Sequence, residues 1–169
     1  MSAALIIVES CFGNTRTIAD AVAAGIHDGG GQVRIIDVAH APSTLPVETD
    51  LLLLGAPTHN RGLPTPNSRA QAYAQIGTAA PTGSMREWLV RAAVPAGIRV
   101  AAFDTVTSKS WLSGSAAKAI VKSLRRGRRI GMASARSFLV EGRSGPLGDG
   151  EEAAARAWGQ VLSGSASNR

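Results

Sequence analysis

Residues 8–17 read VESCFGNTRT, and the way this stretch is read decides the fold. It follows the apolar run at 4–8 and opens an amphipathic helical pattern, so it stands where a strand hands over to a helix. Such a junction suits an anion. Ser10 and Thr15 offer hydroxyls, Gly13 lets the backbone turn and approach closely, and Asn14 tolerates dihedrals that few residues adopt. The first helical N–H groups have no partner within the helix, and they and the helix dipole favour a phosphate. An ordinary turn with Asn or Thr as N-cap satisfies the same residues. A second site in the chain has to decide between the two readings.

Composition narrows the search. The 169 residues suit one domain, expected over 1–163, with a small polar tail at 164–169 that frays. The single cysteine, Cys11, excludes an internal disulfide framework and fits a reducing compartment. No basic region precedes the first apolar run, and no later run reaches membrane-spanning length, so a cytoplasmic protein without membrane contact is expected. The net charge of +6 favours acidic partners or anionic ligands. Much of it is local: Lys118, Lys122, Arg125 and Arg129 recur opposite Ala117, Ile120, Val121 and Leu124, with Arg126 and Arg128 thickening the run. Without interleaved aromatics or a nucleic-acid-binding module, this reads as a solvated helix face, and no nucleic-acid partner is expected.

Strands and helices alternate along the chain. Residues 4–9 read as a strand and 15–27 as a helix with Ile18, Ala19, Val22 and Ile26 on one face, ended by Gly29, Gly30 and Gly31. A strand follows at 33–38. The continuous apolar run at 51–54 suits a strand buried on both faces. The long segment 62–83 has room for a short helix near 68–76, a lid or a dimer contact. Then come a helix at 85–93, a strand at 98–103, the basic helix at 115–126 and a fifth strand at 133–140. Asp149 and Glu152 read as a capping box for a last helix that turns Ala154, Trp158, Val161 and Leu162 inward.

Five strands separated by helical crossovers imply a doubly wound parallel sheet with helices on both faces. Ligands of such sheets lie beyond the carboxyl ends of the strands, near the point where strand order reverses. The loops at those ends do carry unusual residues. After the first strand comes 10–15, after the third Pro57-Thr58-His59-Asn60-Arg61-Gly62, and after the fourth Asp104-Thr105 and a polar loop with Trp111. The backbone of 58–62 can serve a flat heteroaromatic ring, and Asp104 and Thr105 can serve its other edge. Trp111 either stacks on such a ring or packs beneath its own loop. Trp88 and Trp158 fall at inward helical positions.

ESCFGNT resembles the phosphate loop of flavodoxin-like FMN-binding domains, and GAPTHN resembles the loop that embraces the isoalloxazine in that family. The element pattern matches over nearly the whole chain. An aromatic before the glycine is also similar to the loops of flavodiiron proteins and flavodoxin-like quinone reductases, while FDT, GSAAKAI, SFLVEG and GPL resemble small stand-alone flavodoxin-domain proteins. The resemblance implies an α/β three-layer sandwich whose five-stranded parallel sheet has the order 2-1-3-4-5, with FMN held non-covalently. Carried over residue by residue, it places Ser10, Phe12, Gly13, Asn14 and Thr15 at the FMN phosphate. It places Pro57, Thr58, His59 and Asn60 along the ring, and Asp104 with Thr105 at the pyrimidine side. No catalytic side chain and no metal ligand is implied. Cys11 and Phe12 stand where the commoner loop has hydroxyls, a loss of about 1 kcal/mol per absent hydrogen bond unless backbone donors or Arg16 compensate.

The functional expectation is an FMN-binding flavoprotein acting in electron transfer or flavin-dependent reduction, with a redox partner protein or NAD(P)H as its counterpart and a small-molecule acceptor as a further option. The basic charge and Arg61, which would stabilise a reduced anion from the ring loop, favour a flavoprotein that accepts hydride from a nicotinamide or passes electrons to an acidic partner, and an NAD(P)H-dependent quinone-type reductase is one alternative. A flavodoxin-like domain without cofactor, acting through partners, is another. A cysteine-dependent phosphatase shares the thiol and arginine of 11–16, but that signature needs five intervening residues and this chain has four. The absence of Gly-Lys-Ser or Gly-Lys-Thr excludes a P-loop, and Gly55-Ala56 after the third strand excludes a phosphoacceptor receiver domain.

Overall fold

In the computed structural model, which describes residues 2–127, 130 and 133–164, the leucine run at 51–54 becomes the centre of a five-stranded parallel sheet. The strands are β1 (Ala3–Val8), β2 (Gln32–Asp37), β3 (Leu51–Pro57), β4 (Arg99–Val106) and β5 (Ala133–Leu139). They lie in the order β2-β1-β3-β4-β5, the order implied by the family resemblance. The helices are α1 (Asn14–Asp28), α2 (Pro66–Gln75), α3 (Met85–Arg91), α4 (Ala116–Arg126) and α5 (Glu151–Gly164). Because side chains alternate across a strand, Leu52 and Leu54 join Trp88, Ile120 and Leu124 on one face. Leu51 and Leu53 join Ile18, Val22, Phe103 and Trp158 on the other. Both faces are apolar, as an all-parallel sheet requires.

Glycine sets the packing of α1 on α5. A Cβ at Gly25 would lie 1.9 Å from the Arg156 carbonyl oxygen, and one at Gly159 would lie 2.2 Å from that of Val22. The two backbones therefore touch, and this rotation of α5 buries Ala155, Trp158, Gly159 and Ser163. Val161, expected inward, is instead 65 % exposed. Helix α5 begins at Glu151, so Asp149 precedes the cap position. The Glu151 carboxylate accepts the Leu139 N–H at 2.8 Å and ties the helix to the end of β5. Gly164 closes α5; the rest of the expected tail, and Arg128 and Arg129 of the basic run, lie outside the described residues.

The segment 62–83 contains α2, two residues ahead of the expected helix. Thr65 and Ser68 form a reciprocal capping box with Pro66 in the first turn. The helix is anchored by a buried ion pair. Arg69 donates from Nε to Glu9 Oε1 at 2.6 Å and from Nη2 to the carbonyls of Pro81 and Gly83, while Glu9 Oε2 accepts the Met85 N–H at 2.9 Å. Burial pushes the Glu9 carboxyl above its ordinary value, and the Met85 N–H and Arg69 pull against that rise. Among the described residues, no helix is long and apolar enough to cross a membrane.

Two variants test this packing by urea denaturation. Arg69→Met strands the Glu9 carboxylate and should cost about 3–5 kcal/mol. Gly159→Ala forces α5 off α1 and should cost about 1–3 kcal/mol.

Candidate functional site

Strand β1 sits between β2 and β3, so the chain leaves the sheet in opposite directions there and opens a crevice at the carboxyl ends of the strands. The turn after β1 lies in that crevice. Glu9 extends the pairing through its N–H to the Gly55 carbonyl at 2.8 Å, and the chain then turns at Gly13, whose φ of 93° is left-handed. Nothing lies within 4 Å of where a Gly13 Cβ would stand. Ser10 Oγ accepts the N–H groups of Gly13 and Arg16 at 3.2 and 3.3 Å, closing the turn on itself. Gly13 caps α1 without any side-chain hydrogen bond, so the first-turn N–H groups of Asn14 and Thr15 gain no partner from the cap.

The loops after β3 and β4 are locked to one another. His59 and Gly62 exchange two backbone hydrogen bonds at 2.9 and 3.0 Å, and this tight turn holds Asn60 and Arg61 at φ 47° and 70°. The Arg61 guanidinium donates to the Leu112 carbonyl, at 2.8 Å from Nε. Gly114 completes the contact: a Cβ there would lie 2.2 Å from the Arg61 carbonyl oxygen. Thr58 N–H reaches the Thr105 carbonyl at 3.0 Å, and Thr15 and Thr105 hydroxyls pair at 2.9 Å, joining the turn after β1 to the end of β4.

Asp104 does not face the crevice. It is fully buried, and its Oδ2 accepts the Ser115 hydroxyl at 2.5 Å, the Ala117 N–H at 3.0 Å and the Thr58 hydroxyl at 3.0 Å. It braces the N-terminus of α4, where a carboxylate is favourable, and holds Thr58 from behind.

A cavity of about 240 Å³ brings together Phe12, Asn14, Thr15, Pro57, Thr58, His59, Asn60 and Thr105 from the residues singled out in the sequence. Ser10, Gly13 and Asp104 are not among its walls. Several lining residues carried no local signal: Ser68, Gln71, Ala72 and Gln75 of α2, Thr107, Val140 and Arg143. Gln71 and Gln75 share a helix face by their spacing, which the Thr65 capping box could have placed. Arg143 arrives through the loop after β5, where Gly145 approaches Asn14 so closely that a Cβ would lie 2.5 Å from its Nδ2. Among the described residues, the lining holds no Asp or Glu.

His59 and Cys11 are both shifted toward their neutral forms. Burial first, then the charges of Arg143 and Arg69, hold the His59 imidazole below its ordinary value, with Nδ1 3.0 Å from Ser68 Oγ. Burial and the neighbouring Glu9 push the Cys11 thiol up to about 11. Such a shift disfavours the thiolate that a cysteine phosphatase uses as its nucleophile. Arg16 is engaged with Asp20 at 3.0 Å on the helix surface. Trp111 neither packs beneath its loop nor stacks on a protein ring; it is 86 % exposed.

The sequence profile of the family described as Flavodoxin matches residues 6–158. No match was found among curated proteins. Among solved structures, an archaeal flavodoxin has 21 % identity and a TM-score of 0.64, over 96 % of this chain and 97 % of that one. The flavodiiron protein of Giardia intestinalis has 16 % identity and a TM-score of 0.61, over 98 % of this chain and 36 % of that one. A WrbA-like flavodoxin from Agrobacterium tumefaciens has 16 % identity and a TM-score of 0.54, over 98 % of each chain. At these identities the structures share the fold.

Titration of His59 by NMR should show a midpoint below the ordinary 6.5, moving upward in Arg143→Gln. Since the folded value is the lower one, the contribution of His59 to stability is present above 6.5 and is lost as pH falls from there through the folded value.

Proposed function

The chain belongs to the flavodoxin family, whose members bind FMN, and from that premise we propose that it is an electron carrier working with partner proteins in the reducing cytoplasm. The observation that carries this reading is the cavity itself. One space joins the anion turn after β1 to the loops after β3 and β4, with Arg143 and no carboxylate among its described lining residues.

The residues present fit FMN. The open space at Gly13 and the first-turn N–H groups of α1 suit a phosphate, and Ser10 has an oxygen at the same turn. Cys11 and Phe12 lack the hydroxyls of the commoner loop, and Arg143 supplies the compensating cation in place of Arg16. Pro57, Thr58, His59 and Asn60 form the wall for the ring, with Thr105 opposite. When bound, FMN supplies transfer of one or two electrons. The protein holds its loops in place: the Arg61 to Leu112 hydrogen bonds and the Asp104 strut behind Thr58 keep the two ring loops at a set separation. Loops already positioned need little rearrangement when charge arrives. His59, uncharged near neutral pH, offers its imidazole without adding a cation to that wall.

A second reading, an NAD(P)H-dependent quinone-type reductase, is favoured by Gln71 and Gln75, polar groups on the same cavity that suit a second small molecule.

Purified protein loaded with FMN should retain about one flavin per chain through desalting, seen in its visible absorption. Gly13→Val should abolish retention, because the left-handed backbone excludes a branched side chain. Arg143→Gln should weaken FMN by about tenfold or more and leave riboflavin affinity unchanged, as loss of a charge-assisted phosphate contact predicts. Colourless protein that refuses added FMN would overturn the carrier. Rapid bleaching of the flavin bands by NADH or NADPH alone, under nitrogen, would select the reductase.

A further inference from the structure

The net charge of +6 has one address. Lys118, Lys122, Arg125, Arg126, Arg128 and Arg129 are six cations, no Asp or Glu stands between Asp104 and Glu141, and the remaining cations and acids balance at twelve each. Of these six, Lys118, Lys122, Arg125 and Arg126 are described, and all four are exposed on α4 opposite its buried Ala117, Ile120, Val121 and Leu124. None of the ion pairs among the described residues draws on them. Lys118 with Lys122, and Lys122 with Arg126, stand four residues apart, where like charges repel and destabilise the helix. An unneutralised, self-repelling stripe is a feature that a partner's charge would relieve.

The stripe borders a groove. Its other wall is β5, which contributes Ala133 and Ala135, side chains too small to fill it. Strand β5 lies at the edge of the sheet, paired through β4 alone. In a parallel strand the N–H and C=O of one residue point to the same side and alternate along the chain. Val140 N–H turns inward to Val106, whereas Leu139 N–H and C=O turn outward to Glu151 and Gly148. By that alternation Ser137 and Ala135 turn their backbone groups outward. On the opposite face of the strand, Arg136 lies over the rings of Phe138 and Trp158, at 5.5 and 5.8 Å from their centroids. An incoming strand would thus meet cations on both of its faces.

We propose that this edge binds an extended acidic segment of a partner protein, laid along β5 as a sixth strand with its carboxylates against the α4 cations and Arg136. Backbone pairing supplies the register and charge supplies the selectivity. A second copy of this chain would bring the same cations against themselves and is disfavoured. A nucleic acid has no use for an outward peptide ladder, and none of the described residues lining the groove is an aromatic for a base to stack on. The surface is defined by α4 and β5 and does not depend on the flavin reading.

The test is fluorescence anisotropy of the full-length protein with a capped, fluorescein-labelled peptide of alternating Glu and Thr. Binding should weaken with added salt, and Lys122→Glu with Arg125→Glu should weaken it by about tenfold or more. Ala135→Pro removes one outward N–H at an edge where proline is tolerated, and should weaken it comparably while far-UV circular dichroism is kept. Methylating alternate amide nitrogens of the peptide removes the ladder without touching the protein, and should have the same effect. Absence of binding, binding that survives both Ala135→Pro and peptide methylation, or a thymidine oligonucleotide that binds more tightly than the peptide would each overturn the proposal.

Discussion

A carboxylate at the buried end of the first strand has to be neutralised, and the way this is done organises half of the molecule. Glu9 is 2 % exposed, and Arg69 meets it from 60 residues further on. An isolated charge in that position would be untenable. The pair therefore draws α2 against the end of β1, and the remaining donors of Arg69 gather the carbonyls of Pro81 and Gly83. The second oxygen of Glu9 holds the start of α3. Because α2 is fixed in this way, Gln71, Ala72 and Gln75 become a wall of the cavity, and Tyr73 can donate to the Ser10 carbonyl at 3.2 Å. The helix that joins the site is held by the residue that precedes the anion turn.

The opposite side of the cavity obeys a similar logic with a different device. Asp104 is buried against the first turn of α4, where its Oδ2 meets one N–H and two hydroxyls in place of a cation. Thr58 shares that carboxylate and also accepts the Ala116 N–H at 2.9 Å, so the loop after β3, the end of β4 and the start of α4 form one unit. Arg61, Leu112 and Gly114 close the two loops above it. With Glu9 and Asp104 used as internal struts, no described residue lining the cavity is acidic, and an anionic ligand meets Arg143 there. Charge is separated by place: Glu9 and Asp104 buried as struts, one arginine at the cavity, and the uncompensated stripe on α4.

Much of this was legible in the chain. The leucines at 51–54, the alternation of strands and helices and the turn at 10–15 led to a parallel sheet and to the three loops at its edge. Those signals are local, since hydrophobic period and turn chemistry act over a few residues. Asp104 has a residue type and a place after a strand that suit a ligand contact as well as a strut, and its strut contacts with Thr58, Ser115 and Ala117 come from partners that a local reading does not see. Val161 misled because a helical wheel cannot report that Gly25 and Gly159 bring two backbones together and turn α5.

The amino-acid sequence by itself determined the class of fold, the strand-to-helix anion turn and the resemblance that pointed to FMN, because each rests on neighbours in the chain. Tertiary structure alone decided that α2 and Arg143 enter the cavity and that the cations of α4 flank an open strand edge. Those outcomes depend on contacts between residues far apart in sequence, where a buried charge, a close glycine or an unpaired strand edge selects among arrangements that local propensity leaves equal.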